Sequence, residues 1–216
     1  MKRWGLWLVA YAPVFEYPTL GAQARLVSLQ AELARALPVA AAALQRFLEG
    51  LAPHGAAWHE ELYFRTFDLS PQVVPYASVH LFGEESFKRA ELLAALAEQY
   101  ARVGYSAGTE LPDHLAVLLR AAPVLPAFDE LARECLLFVV AKMRRDAEQA
   151  RNPYAHALNG AFALLAASLG LDLAAAEALA ARQAGERATP SGLVTLGRLG
   201  AGHKQGKHAP VEGDRG

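Results

Sequence analysis

Apolar residues recur every three or four positions along most of the chain, and this spacing places them on one face of an α-helix. Near the start, Trp4, Trp7, Tyr11 and Val14 follow it. Later stretches repeat it over residues 26–37, 44–51, 57–67, 84–103, 115–119, 128–143 and 154–169. An alanine-rich stretch over 171–184 favours one further helix by intrinsic propensity. The pattern therefore predicts a chain that is helical over most of its length.

No stretch alternates apolar and polar residues for long enough to predict a paired strand, and no unit repeats at a fixed period. Breaks fall at 53–55 and 69–75, where prolines interrupt the pattern. The prediction is an all-α, single-domain helical bundle of roughly eight to ten helices over residues 1–185. Residues 186–216 are rich in Gly, Lys, His and Arg and are predicted to form a flexible polar tail. For His203 and His208 in that tail, a solvated end is favoured over a metal site.

The chain has 216 residues and a formal net charge of -1, so it carries no large single-sign field of the kind that nucleic-acid binding requires. Its one cysteine, Cys135, excludes an internal disulfide and a cysteine-built zinc site, and its apolar neighbours predict a buried thiol. No apolar run reaches the roughly 20 residues of a membrane-spanning helix, so stable membrane insertion is not expected.

The first residues partly match a secretion signal, because Lys2 and Arg3 precede a short apolar run. The helical spacing of the aromatic residues in that run favours an amphipathic helix of the mature protein instead. We therefore expect a cytoplasmic protein.

Motifs for phosphate loops, dinucleotide binding, serine hydrolases and zinc proteases are absent from the sequence. One dense polar group remains, formed by Glu110, Asp113 and His114. Thr109, Pro112 and the two acids suit a helix N-terminus, and on a helix the three polar residues share one face. They could form an acid/base or metal centre, start a helix, or line a hinge or binding edge that accepts cationic groups. The residues alone leave the last two interpretations equal.

A second group contains Tyr63, Phe67 and Asp68. The spacing of the two aromatic residues is typical of core packing. Asp68 follows an apolar helix end, where an acid is disfavoured by the helix dipole, so it is expected to cap the next element or to hold a cation. Arg89 is its candidate partner within the chain.

These groups, taken with their neighbours, resemble the nitrate reductase delta-subunit family. The resemblance rests on Tyr63-x-x-x-Phe67-Asp68, His80-x-x-Gly83-Glu84, Tyr100-x-x-x-Gly104 and Glu110-Leu111-Pro112-Asp113-His114-Leu115. Phe15-Glu16-Tyr17-Pro18 and Pro153-Tyr154 agree with outer elements of the family, so the similarity spans about residues 14 to 170. The Glu-Leu-Pro-Asp-His-Leu string is its specific part.

The resemblance implies a cytoplasmic, non-catalytic molybdenum-cofactor assembly chaperone with the TorD-like fold of the redox-enzyme maturation chaperones. Such a protein needs no cofactor or metal of its own. It binds the apo catalytic subunit of a molybdoenzyme, best assigned to nitrate reductase, at its N-terminal segment. It keeps that unfolded subunit competent for cofactor insertion before membrane attachment or export. It is expected to be a monomer or a domain-swapped dimer.

Client contacts are expected from Tyr63, Asp68, Glu110, Asp113 and His114. Structural or hinge roles are expected for a further set of residues, namely Phe67, His80, Gly83, Arg89, Gly104 and Pro112. Because His114 titrates near neutral pH, client affinity is expected to vary with pH. The substitutions Asp113→Asn and Glu110→Gln are expected to leave stability within about ±0.5 kcal/mol, as surface changes do. By contrast, Leu118→Ala is expected to cost about 2–5 kcal/mol.

The chain departs from the family pattern at Val74, where a serine is usual, at Ala90 after Arg89, and at Arg120, where an acid is frequent. These departures bear on which enzyme is the client. A dimethyl sulfoxide, perchlorate or selenate reductase or a hydrocarbon dehydrogenase is therefore an alternative client. Two alternatives of other classes are an enzyme that uses Glu110, Asp113 and His114, and a helical adaptor with no folding role.

Overall fold

The computed structural model describes residues 3–19, 21–68 and 70–187, which are helical apart from their connections. The helices are α1 (Arg3–Tyr11), α2 (Ala22–Ala36), α3 (Pro38–Leu51), α4 (Ala56–Phe67), α5 (Ala77–Phe82), α6 (Phe87–Arg102), α7 (Leu115–Ala121), α8 (Phe128–Leu131), α9 (Leu137–Gln149), α10 (Tyr154–Ser168) and α11 (Leu173–Arg187). A π-helical turn (Ala132–Leu136) joins α8 and α9 into one continuous helix. Counted in this way, the described residues hold ten α-helices, and the predicted all-α class is confirmed.

The helix α10 lies at the centre of the bundle, because apolar residues cover nearly its whole circumference instead of one stripe. Its side chains are buried against α3 on one side and α9 on another, and α1 packs across it. Gly160 allows this crossing, since a Cβ there would lie 2.1 Å from the hydroxyl oxygen of Tyr11. That hydroxyl donates a hydrogen bond to the carbonyl of Ala157 at 2.8 Å.

Most positions of the predicted apolar faces are buried, although Phe87, in the stretch over 84–103, is 78% exposed. In α1 and the 3₁₀ turn that follows it (Ala12–Phe15), Trp7, Tyr11 and Val14 are buried. The hairpin of α2 and α3 turns at Leu37, and Pro38 begins α3, where a missing N–H costs nothing. Cys135 is fully buried inside the π-helical turn.

Two predicted helix starts differ from the structure. The helix expected from residue 84 begins at Phe87 and is preceded by α5, a short helix that the pattern did not predict. The helix expected from Thr109 begins at Leu115, and the intervening residues form a turn. An isolated antiparallel bridge pairs Tyr76 with His114, so this turn is attached to the start of α5.

No single helix of the described ranges is long and apolar enough to cross a bilayer; α10 and α11 pass that test only as a pair, and the chain bends by 101° between them. The helix α11 extends to Arg187, two residues past the predicted end of the helical domain. The rest of the predicted tail, with His203 and His208, lies outside the described residues.

Candidate functional site

The Pro112-Asp113-His114 turn joins the starts of α5 and α7. The Asp113 carboxylate accepts a hydrogen bond from the backbone N–H of Ser78 at 2.9 Å, through Oδ2. Its backbone carbonyl accepts another from the N–H of Ala77 at 3.0 Å, and the N–H of Leu115 donates to Pro75 at 2.9 Å. The acid therefore caps the first turn of a helix that lies 35 residues earlier in the chain.

His114 caps α7 in the same manner. Its Nδ1 accepts a hydrogen bond from the N–H of Ala116 at 3.2 Å, so the ring carries its proton on Nε2. Burial lowers the pKa of His114, while the charges of Glu110, Asp113 and Glu16 oppose that shift. The neutral ring is the form that this cap requires, because a protonated Nδ1 cannot accept a hydrogen bond.

These caps correct two expectations about the acidic turn. Asp113 is fully buried and His114 is 3% exposed, so the assumption that Asp113 is a surface acid is wrong. The residues from Glu110 to His114 also do not share a helical face, because the caps hold them in a turn. Glu110 remains at the surface, and its Oε2 lies 3.9 Å from Nε2 of His114.

Two tyrosines support the turn from behind. The hydroxyl of Tyr100 donates to the carbonyl of Pro112 at 2.8 Å, and that of Tyr105 donates to the carbonyl of Val117 at 3.2 Å. Gly104, with φ +66°, ends α6 in a Schellman motif in which the N–H of Tyr105 bonds to the carbonyl of Tyr100. The two rings pack 5.0 Å apart as a result. The Tyr100-x-x-x-Gly104 spacing thus has a structural explanation.

The remaining predicted structural residues lie around α5. The Nε2–H of His80 donates to the carbonyl of Val74 at 2.7 Å, and Gly83, with φ +83°, ends the helix. Arg89 donates from Nε to the hydroxyl of Ser78 at 3.0 Å and from Nη1 to the carbonyl of Glu84 at 3.4 Å. These bonds hold its guanidinium, and within the described ranges it forms no ion pair with Asp68, contrary to the expected pairing.

Phe67 and Tyr63, four residues apart on α4, have different surroundings. Phe67 is buried, with its ring 6.4 Å from that of Phe15 and 4.7 Å from that of Tyr154, which is core packing. Tyr63 is half-buried, 5.3 Å from Phe67 on one side and 5.8 Å from the exposed ring of Tyr17 on the other. Tyr63 is therefore where the aromatic core reaches the surface.

Several carboxylates surround Tyr63. Burial, followed by the charges of Glu110, Asp68 and Glu16, raises the pKa of its hydroxyl to about 12. Burial also raises the pKa of Tyr76, and Glu110, Asp113 and Asp68 add to the effect while Arg89 opposes it. Four carboxylates from three segments of the chain thus act on these two hydroxyls, and Glu110 and Asp68 act on both. We call this surface the acidic-aromatic face, and it consists of Tyr17, Tyr63, Phe64 and Tyr76 with Glu16, Glu60, Asp68 and Glu110.

The acids of this face differ in what neutralises them. Glu16 forms a bidentate ion pair with Arg120 at 2.5 Å, and Glu60 lies close enough to the hydroxyl of Tyr17 to raise its pKa. Asp68 and Glu110 form no ion pair with a lysine or arginine in the part of the chain that is described. These two exposed carboxylates lie beside exposed apolar surface, since Tyr17 is 44% exposed and Phe64 and Leu111 are each 39% exposed. The face therefore suits a ligand that is both basic and apolar.

Sequence reasoning missed five members of this face, namely Glu16, Tyr17, Glu60, Phe64 and Tyr76. The Phe15-Glu16-Tyr17-Pro18 element marked two of them, but nothing in its spacing indicated that it lies beside α4. Tyr76 carried no signal, because its position depends on the bridge to His114.

A separate cleft of about 500 Å³ is lined by residues of α3, α9, α10 and α11. Its most buried cation, Arg144, is held by Glu177 through bonds of 2.6 and 3.0 Å and lies over the ring of Phe162. Its central charge is thus already paired. The described residues also contain no group of three or more His, Cys, Asp or Glu side chains placed to hold a metal ion.

Comparison with known proteins places this geometry in a family. No curated protein sequence matches the chain. The family model described as nitrate reductase delta subunit matches residues 30–160, which is more than half of the chain and includes the acidic turn, α4 and α6. The chain belongs to the nitrate reductase delta subunit family, which is a family of nitrate reductase assembly chaperones.

Proposed function

We propose that this chain is a system-specific chaperone for the apo catalytic subunit of a respiratory molybdoenzyme, with nitrate reductase as the first candidate. It acts in the cytoplasm and binds the N-terminal segment of that subunit. By covering this segment, it keeps the subunit soluble and competent for molybdenum-cofactor insertion until membrane attachment or export. A related reductase or dehydrogenase of the same superfamily is the alternative client.

The observation that carries this proposal is a pair of exposed carboxylates, Asp68 and Glu110, which have no lysine or arginine partner among the described residues and belong to the same face as exposed aromatic rings. An amphipathic segment with arginine or lysine would place its cations on the carboxylates and its apolar residues against Tyr17 and Phe64. Tyr63 adds a polar hydroxyl to this surface, and the charges of Glu110 and Asp68 both act on it. Such charge complementarity contributes more to the choice of partner than to raw affinity.

The five residues expected to contact the client divide into two groups. Tyr63, Asp68 and Glu110 are accessible and are proposed to touch it directly. Asp113 and His114 are buried and are proposed to position Glu110, because their caps fix the turn that carries it. Phe67, Gly104 and Pro112 support the same surface from the core and from α6.

An enzyme that uses Glu110, Asp113 and His114 is not favoured by this geometry. Nδ1 of His114 and Oδ2 of Asp113 are both occupied by backbone N–H groups, so neither atom is available to a substrate. The proposal accordingly assigns no catalytic residue and no cofactor to the chain.

A preference for the cofactor-free client separates a chaperone from an adaptor. A nitrate reductase catalytic subunit from the same genome should be produced in cells with and without molybdopterin synthesis, and its co-purification with the chain compared. A chaperone retains the apo subunit and releases the loaded one. Equal recovery of both forms would favour an adaptor, and recovery of neither would contradict the proposed client. Light scattering of the complex would then decide between a monomer and a swapped dimer.

A further inference from the structure

We propose that residues 193–208 of this chain bind its own acidic-aromatic face when no client is present. The inference rests on the proposed function, because it assigns the same surface to a basic, apolar segment. The new element is that the chain itself carries a segment that competes with the client for this face. The bound tail would cover the exposed rings of Tyr17 and Phe64 until a client segment displaces it.

Charge is the first argument. Between residues 188 and 208 the chain has three cations, Arg198, Lys204 and Lys207, and no Asp or Glu. On the face, Asp68 and Glu110 lack a lysine or arginine partner within the described part of the chain. The tail is therefore complementary in sign to the carboxylates that the fold leaves unneutralised.

The apolar content of the segment is the second argument. Leu193, Val194, Leu196 and Leu199 precede or surround Arg198, and the two lysines follow. The segment thus combines an apolar run with cations, as the face combines exposed rings with carboxylates. A purely solvating tail has no need of four large apolar residues within seven positions.

The length of chain between α11 and the lysines is the third argument. The helix α11 ends at Arg187, so Lys204 is joined to it by a chain that spans up to about 55 Å when extended. A domain of this size has a radius of gyration of roughly 16 Å, so this length allows the lysine to reach most of the surface. Tethering also gives an effective concentration of about 1 mM, so even a contact with a Kd near 0.1 mM would raise the apparent Kd of a client about tenfold.

Zero-length crosslinking of the full chain tests the contact directly. A carbodiimide joins a lysine amine to a carboxylate only when the two groups touch, and mass spectrometry identifies the linked peptides. We expect links from Lys204 or Lys207 to Asp68 or Glu110, lost in 0.5 M NaCl and lost in the Asp68→Asn/Glu110→Gln variant. Glu32 and Glu91 are exposed acids of α2 and α6 that serve as controls. Links spread equally over these controls would overturn the proposal. In a mixture of isotopically labelled and unlabelled protein, links found only between different chains would also overturn it.

A binding measurement provides the second test. A labelled synthetic peptide of residues 193–208 should bind the full-length variant Arg198→Glu/Lys204→Glu/Lys207→Glu about tenfold more tightly than it binds the native chain. Equal affinity for the two chains would contradict self-occupancy. If a molybdoenzyme leader peptide binds the face but no tail links form, this inference fails and the proposed function stands. If tail links form and no leader peptide binds, the tail contact stands and the proposed function fails.

Discussion

The buried carboxylate of Asp113 accepts its hydrogen bond from the N–H of Ser78, so the acidic turn and the start of α5 are held by one side chain. Asp113→Ala should lower the free energy of unfolding by about 1–3 kcal/mol, because it leaves a buried N–H without a partner. Asp113→Asn should cost less, since the amide oxygen can still accept. Chemical denaturation measures both. Glu110→Gln, at the exposed end of the turn, is the control and should stay within about ±0.5 kcal/mol.

This relationship also explains what the sequence could not reveal. The helix α5 has six residues, and no side chain within it or next to it caps its N-terminus. Its cap comes from Asp113, and periodicity carries no information about a partner so distant. The long helices were predictable because each shows several turns of one apolar stripe. The prediction of a helix starting at Thr109 was wrong for a related reason. Asp113 caps α5 and His114 caps α7, so neither residue lies inside a helix.

The candidate site was predictable only in part. The sequence marked Tyr63, Asp68 and Glu110, and in the structure both acids add to the burial that raises the pKa of Tyr63. The sequence could not show that Asp113 is buried while Glu110 is exposed, because burial depends on the packing of α5 and α6 around the turn. It also could not place Tyr17 beside α4, since that contact joins segments more than 40 residues apart.

Stability should fall as the pH drops below 6.5. Burial lowers the pKa of His59, His80 and His114 below the ordinary value of 6.5, so between each folded pKa and 6.5 the unfolded chain binds more protons. Their contribution is therefore complete above pH 6.5 and is lost as the pH falls through the folded values. Denaturation at pH 7.5 and 5.5 measures the loss.

His114→Asn should make that loss smaller. Asparagine is a good N-cap and does not titrate, so it keeps the bond to Ala116 without the proton linkage. At pH 7.5 the free energy of unfolding of the variant should match that of the native chain to within about 1 kcal/mol, which is the usual contribution of an N-cap. Between pH 7.5 and 5.5 the variant should lose less of that free energy than the native chain does. An unchanged pH dependence would mean that folding does not lower the pKa of His114.

Arg151 ends α9 with φ +51°, in a Schellman motif in which the N–H of Asn152 bonds to the carbonyl of Ala147. A side chain there costs about 1 kcal/mol, so Arg151→Gly should stabilise the chain by about that amount. Gly170 is the reciprocal case, since it has φ +69° with open space around it, and Gly170→Ala should destabilise by a similar amount. Thermal denaturation of both variants tests the pair, and shifts of the same sign would contradict the assignment.

Leu118 lies in α7 and is 1% exposed, so it belongs to the core that supports the acidic turn. Leu118→Ala should cost about 2–5 kcal/mol, through lost burial and the cavity left behind. Denaturant titration gives the value. A cost below about 1 kcal/mol would mean that α7 is not packed as described.

The most direct measurement for the central claim is the affinity of a molybdoenzyme leader peptide for the native face and for its Asp68→Asn/Glu110→Gln variant, both measured in the Arg198→Glu/Lys204→Glu/Lys207→Glu background, where the tail does not compete. The peptide should come from the nitrate reductase catalytic subunit of the same genome, and fluorescence anisotropy gives the Kd. We predict about tenfold weaker binding to the double variant at unchanged thermal stability, and native affinity for the control Glu32→Gln/Glu91→Gln. Equal affinity of the native face and the double variant would contradict the account.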